Sequence, residues 1–328
     1  MLDSNIKSFI KSLMRHFPQK NERNVLFYRN FISFQGGHLK TWNYFQHLDH
    51  LPGFSPTIYF SKQSTWKQNP WTNNCIPEKK WLPEKADILF LAGLDWEALK
   101  DKHIDTNQPI INLIQGMRHA DPNDIRFHYL ARKAIRICVS EEIATALKNT
   151  NQVNGPIFTI PNAVDIKIID KPILKKKYDV IISGLKNKKL AKELKIRLNT
   201  ENISVKLITS IIPRDTYLKK VASAKISLLL PAKKEGFYLP ALESMALGTI
   251  AICPDCIGNR KFCKPNINCF MPNYEANALF KETLKALNMN KIDYENMKKQ
   301  GLSTAQKHSL EKERTSFYQI MNEIDQIW

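Results

Sequence analysis

Tyr178-Asp-Val-Ile-Ile-Ser-Gly184 reads as a single β-strand running straight into a glycine turn, and the chain on either side repeats the pattern. Downstream, short apolar runs at Val205–Thr209, Ile226–Leu230 and Thr249–Cys253 alternate with helical stretches at Lys188–Leu198, Asp215–Ala224 and Leu239–Leu247. Upstream, strands are expected at Val25–Ser33, Thr57–Phe60, Asp87–Leu91, Ile110–Gln115, Ile135–Ser140 and Ile157–Ile160, with helices such as Leu39–Leu48 and Glu141–Leu147 between them. Strands that alternate with helices, and that are apolar throughout, belong to parallel sheets covered on both faces. The first series ends in the turn Ile160-Pro161-Asn162 and the second opens at Tyr178, so a boundary falls within 163–177, around Pro172 and the Lys175-Lys176-Lys177 run. The expected architecture is α/β with two Rossmann-like domains, 1–168 and 169–308, followed by a helical tail over 309–328. Ligands in such folds bind beyond the carboxyl ends of the strands, which makes a cleft between the two domains the natural site.

Composition narrows the class. At 328 residues the chain exceeds one typical domain, and 43% hydrophobic with 10% aromatic residues excludes a disordered or collagen-like protein. The longest apolar stretches, Ile226–Pro231 and Ile88–Leu94, fall far short of the roughly 20 residues a membrane span needs. Lys7, Lys11 and Arg15 interrupt what would have to be a continuous signal-peptide core, so a cytoplasmic protein is expected. The net charge of +18 attracts polyanions, whether nucleic acid, an anionic membrane or a phosphorylated small molecule. In a chain rich in Lys and Asn and poor in Gly, part of that surplus is simply solvated surface. Leu2, Ile6, Phe9, Ile10, Leu13, Met14 and Phe17 share one helical stripe, which suits either contact with the inner face of an anionic membrane or the capping of a core. Of the six cysteines, Cys253-Pro-Asp-Cys256 forms a C-x-x-C, but the intervals to Cys263 and Cys269 do not match a zinc ribbon, and no metal site is expected.

The chemistry is concentrated in Glu235-Gly-Phe-Tyr-Leu-Pro-Ala-Leu-Glu243, which continues Ser-Met-Ala-Leu-Gly248. Glu235 and Gly236 lie in the loop after a strand, Pro240 fits the first position of the following helix, and Glu243 falls in that helix's first turns. Amide N–H groups at a helix start suit an anion or a sugar hydroxyl, and a carboxylate on each side of the turn can accept hydrogen bonds from paired hydroxyls. In the first domain, Gly36-Gly37 precedes a helix and allows close backbone approach. Arg118-His119 follows the strand Ile110–Gln115, with Asp95 and Asp121 on comparable loops.

The ordered set E-G-F-x-L-P-x-L-E-x-M-A-x-G over 235–248 closely resembles retaining glycosyltransferases with two Rossmann-like domains (the GT-B fold), and glycosyltransferase family 4 above all. Further segments carry the same resemblance: Ile160-Pro-Asn-Ala-Val-Asp165, Ile137-Cys-Val-Ser-Glu-Glu142, Gly258-Asn259 and Asn268-Cys-Phe-Met-Pro272. It implies a nucleotide-sugar donor and no cofactor, with Glu243 on the ribose beside Gly184. Glu235 would contact the transferred sugar, together with Gly236, Phe237, Tyr238 and Leu239. The family's diphosphate-binding arginine is replaced by Leu185, which leaves Lys186, Lys188 or Lys189, with Gly37, to meet the diphosphate; from Lys171 to Arg197 ten basic residues face two acidic ones. His119 would help stabilise the reacting centre, and Gly36 and Arg118 would serve the acceptor side. The resemblance also implies that the last helix, with Phe317, Ile320, Met321, Ile324 and Trp328 in one stripe, returns to the first domain. The expected activity is transfer of a sugar, with retention, to a glycan or lipid-linked acceptor in surface polysaccharide synthesis. A nucleotide-sugar epimerase of the same fold and a basic nucleic-acid-binding protein are the alternatives; the second lacks any recognisable nucleic-acid motif.

Overall fold

The computed structural model describes residues 22–34, 36–102, 104–165 and 176–328, so the stripe over residues 2–17 and most of the expected boundary segment lie outside it. The chain divides into two compact units, one running up to Ile160 and taking back Arg314–Trp328, the other spanning Pro161–Glu313.

The amino-terminal unit is built on β1 (Arg23–Arg29), β2 (Phe54–Phe60), β3 (Ile88–Ala92), β4 (Ile110–Ile114), β5 (Ile135–Cys138) and β6 (Ile157–Thr159), all parallel in the order β2-β1-β3-β4-β5-β6. Strand side chains alternate between faces, and both faces here are dry. Leu26, Leu89 and Leu91 join Trp96, Leu99 and Tyr129 on one side. On the other, Phe27 stacks on Phe90 at 4.4 Å beneath α1 (Gly36–Asp49), which contributes Tyr44, Phe45 and Leu48. Each such side chain contributes about 1.5–3 kcal/mol by leaving water. Two further helices of this unit are α2 (Ile125–His128) and α3 (Glu141–Lys148), the latter capped by Ser140, whose Oγ accepts the Ile143 amide.

The carboxyl-terminal unit holds β7 (Tyr178–Ser183), α4 (Lys188–Thr200), β8 (Val205–Ile208), α5 (Arg214–Ala222), β9 (Ala224–Leu229), α6 (Leu239–Ala246), β10 (Ile250–Ile252), β11 (Cys269–Phe270), α7 (Ala276–Leu287) and α8 (Lys291–Lys307). Its sheet is again parallel, in the order β11-β10-β9-β7-β8. In both units the first strand lies between the second and the third, so the connection reverses direction there, and a crevice opens beyond the carboxyl ends at that point. The two-residue β11 was not expected, being too short to carry any periodicity.

The helical tail expected over 309–328 follows a break at His308–Ser309, where the Val164 amide donates to the His308 carbonyl at 2.9 Å, and consists of α9 (Leu310–Asn322) and α10 (Ile324–Ile327), interrupted at Glu323. Phe317 is fully buried, edge-on to Tyr44 at 4.8 Å, and Trp328 Nε1 donates to the Thr106 carbonyl, so the end of the chain completes the amino-terminal core. Among the described residues, no helix is long and apolar enough to cross a membrane.

Candidate functional site

Three neighbouring strands of the carboxyl-terminal unit, β9, β7 and β8, release their loops side by side. The middle loop turns β7 into α4 within four residues. A Cβ on Gly184 would lie 2.1 Å from that of Ala191, so only glycine lets the helix pack this close to the strand end. Asn187 caps α4 by accepting the Leu190 amide at 3.2 Å, which leaves Lys188 and Lys189 exposed on the first turn. Lys186 reaches across to the β9 loop, and its Nζ stands 3.9 Å from Glu235 Oε1.

The β9 loop carries Glu235 and is held from behind by the Gly258-Asn259 turn. A Cβ on Gly258 would sit 2.6 Å from the Phe237 nitrogen and 2.8 Å from the Glu235 carbonyl oxygen. Asn259 closes that turn on itself, its Nδ2 donating to the Pro254 carbonyl and its Oδ1 accepting the Cys256 amide. The Gly-Asn pair recognised in the sequence is thus the backing plate of the loop: glycine for room, asparagine for rigidity. Phe237 stacks on Phe262 at 5.1 Å. The Tyr238 amide donates to the Gly258 carbonyl, and the Leu239 amide to the Phe237 carbonyl. Neither is available to a sugar, because both are used to shape the loop. The helix α6 starts at Leu239, with Pro240 in its second position rather than its first.

Glu243 is buried in α6. Its Oε1 lies 2.6 Å from Nη1 of Arg214, with side-chain exposures of 3% and 25%, though without the alignment of a hydrogen bond. One turn further along α5, the Tyr217 hydroxyl lies 3.1 Å from Ser183 Oγ, and its pKa is raised, first by burial and then by the Glu243 charge. Arg214 was missed in the sequence because no motif surrounds it. The available signal was a cation at the first position of a helix, where the macrodipole disfavours it and a nearby anion is needed. The site therefore places Glu235 with Lys186 on one side of the Ser183–Gly184 turn and Glu243 with Arg214 and Tyr217 on the other. Lys189 stands apart from both.

Gly36, Gly37, Arg118 and His119 belong to the amino-terminal unit. The two glycines open α1 rather than precede it, and a Cβ on Gly37 would meet only the Gln115 amide at an ordinary 3.6 Å, so packing does not demand glycine there. Arg118 is exposed. His119 is buried, with Nδ1 3.1 Å from the Gly116 carbonyl. A carbonyl only accepts, so Nδ1 carries the proton and Nε2 is a bare acceptor, buried without a partner. Burial pushes the His119 pKa down to about 4, which keeps that tautomer neutral. Asp121 accepts the Asn123 amide in a local turn. Asp95 instead joins a cluster the sequence did not reveal. Arg29 donates to it at 2.7 Å and to His38 Nδ1 at 3.0 Å. Burial outweighs the arginine and lifts the Asp95 pKa to about 6, while burial and Arg29 together depress that of His38 to about 3.

All six cysteines are free thiols, and among the described residues no group of three or more His, Cys, Asp or Glu is arranged to hold a metal ion.

Residues 162–304 match the family model described as glycosyl transferases group 1. Comparison with curated protein sequences finds no match. Among solved structures, HepE from Anabaena in complex with UDP is similar at a TM-score of 0.70 and 12% identity, covering 92% of this chain and 100% of that one. A glycosyltransferase from Rickettsia africae is similar at 0.69 and 14%, covering 93% and 99%, and sucrose-phosphate synthase from Thermosynechococcus elongatus at 0.66 and 14%, covering 92% and 99%. At these identities the solved structures establish the fold alone, two Rossmann-like domains of the glycosyltransferase GT-B type. The family match falls on the part of the chain that carries most of the segments on which the sequence resemblance rests.

Proposed function

We propose that this chain, whose residues 162–304 match the glycosyl transferases group 1 model, is a glycosyltransferase that moves a sugar from a nucleoside diphosphate to a glycan or lipid-linked acceptor with retention at the anomeric carbon. The observation that carries the reading is the placement of two glutamates on opposite sides of one glycine turn, Glu235 beside Lys186 and Glu243 beside Arg214. A nucleotide sugar has the matching order of parts. The ribose diol donates to the Glu243 carboxylate, the diphosphate lies over the Gly184 turn, and the sugar reaches Glu235.

Negative charge grows on the departing diphosphate in the transition state. Lys186 and the amide N–H groups at the start of α4 meet it, and preorganised donors of this kind supply most of the rate enhancement in such transfers. In the retaining reading, the leaving phosphate takes the proton of the attacking acceptor hydroxyl on the same face. No metal ion is assigned a role. The bare Nε2 of His119 accepts from a hydroxyl of the transferred sugar, and the depressed pKa keeps it an acceptor at neutral pH. The complexes of HepE with UDP and with UDP-glucose support a uridine donor as the first to try. The basic charge of the chain suits a lipid-linked acceptor at the inner face of a membrane, in surface polysaccharide synthesis.

The test is incubation of the full chain with UDP-, GDP- and ADP-sugars, following release of nucleoside diphosphate and the anomeric form of the sugar by NMR. Release from one donor with the configuration kept supports the reading; no release from any, or an inverted product, overturns it.

A further inference from the structure

Arg214 has no role in the preceding reading, yet its position needs an explanation. It is the first residue of α5, where the helix dipole opposes a cation, and its side chain stays three-quarters buried rather than extending into water. It turns instead toward Glu243, a carboxylate with 3% side-chain exposure that would be costly to bury ionised and alone. The contact is close, 2.6 Å, but misaligned for a hydrogen bond, so Glu243 Oε1 has its charge balanced while its hydrogen-bonding capacity remains unused. From the same helix, Tyr217 faces the carboxylate and is tied to Ser183 at the end of β7. The arrangement neutralises a buried anion without satisfying it.

We propose that Arg214 is a positioning residue that holds the Glu243 carboxylate aimed, so that it can accept both hydroxyls of a ribose ring and select ribonucleotides over their 2′-deoxy counterparts. The inference rests on the nucleotide-sugar reading above and deepens it. A carboxylate held this way gains most from a donor pair that brings two O–H groups together, which a cis-diol does and a 2′-deoxyribose does not. Lysine at this position would keep the charge but lose the planar fork that fixes the carboxylate's orientation.

The experiment is calorimetric titration with UDP and with 2′-deoxy-UDP, and with the GDP or ADP pair if UDP does not bind, using wild type, Arg214→Met, Arg214→Lys and Tyr217→Phe. Thermal melts confirm that each variant is folded. Wild type is expected to prefer the ribonucleotide by roughly tenfold or more, as for a hydrogen bond to a charged group. Arg214→Met should bring that preference close to one, mainly by weakening the ribonucleotide, and Arg214→Lys should restore part of it. Wild-type preference that survives unchanged in Arg214→Met, or equal weakening of both ligands, overturns the proposal while leaving the donor site standing. Should Arg214→Met not fold, a full preference in Arg214→Lys also overturns it, because charge alone would then suffice. Wild type that binds no nucleoside diphosphate brings down this inference together with the reading it rests on.

Discussion

Two carboxylate–guanidinium pairs stand beyond the carboxyl ends of the two sheets, Glu243 with Arg214 at 2.6 Å and Asp95 with Arg29 at 2.7 Å. Each lies near the point where its sheet reverses direction, and each buries its carboxylate almost fully. They differ in the cation. Arg214 keeps a quarter of its side chain in solvent and leaves Glu243 Oε1 without an aligned donor, whereas Arg29 is 10% exposed and shared between Asp95 and His38. The cation of one pair reaches solvent; that of the other is enclosed by its neighbours. On the proposed reading, the same two side-chain types serve a binding site in one unit and a structural clamp in the other, and the cation's access to water separates the two uses.

Removing a carboxylate tests that difference most severely. Asp95→Ala leaves Arg29 charged and buried, so the amino-terminal unit should lose about 3–5 kcal/mol, read from denaturant unfolding. Nucleotide affinity should not change, and a variant that lost affinity without losing stability would break the contrast. Glu235→Gln keeps the shape of the open site but removes its charge, and turnover should fall about 100-fold with nucleotide affinity near wild type. A proportionate loss in both would place Glu235 on the nucleotide rather than the sugar. Gly184→Ala introduces a Cβ 2.1 Å from that of Ala191 and should destabilise the carboxyl-terminal unit by about 1–3 kcal/mol.

Acid separates the units more gently. His119 and His38 have folded pKa values below that of a free histidine, so the unfolded chain takes up their protons first. Their contribution is complete above about 6.5 and is lost as pH falls toward about 4 and 3. Asp95 works the other way, gaining stability as pH falls through about 6, but two histidines outweigh it. The amino-terminal unit should therefore be the acid-labile one, with a urea midpoint that drops between pH 7 and 4. A midpoint that rises over that range would contradict the buried neutral histidines. Smallest of all, Lys186→Ala should change donor affinity only a few-fold, because the lysine is more than half exposed.

The strands were legible in the sequence because the apolar runs of the central strands are buried on both faces, and all ten expected ones are present within a few residues. So were the turns at Gly184 and Gly258-Asn259, where close backbone packing fixes the residue type. Arg214 and Arg29 were not, because each acquires its partner only when strands and helices far apart in sequence pack together. The use of the Tyr238 and Leu239 amides was not legible for a related reason: a motif names residues, while the fold decides which of their N–H groups the loop consumes. Gly37 lies inside α1 rather than before it, and its surroundings would accept a methyl group.

The account turns on Glu243 being the anchor of an open nucleotide site and Asp95 the anchor of a closed clamp. Calorimetric titration of UDP, GDP and ADP into wild type, Glu243→Ala and Asp95→Asn measures that directly. One nucleotide should bind wild type and Asp95→Asn alike and bind Glu243→Ala about 100-fold more weakly. Equal losses in the two variants, or an unchanged affinity in Glu243→Ala, would contradict it.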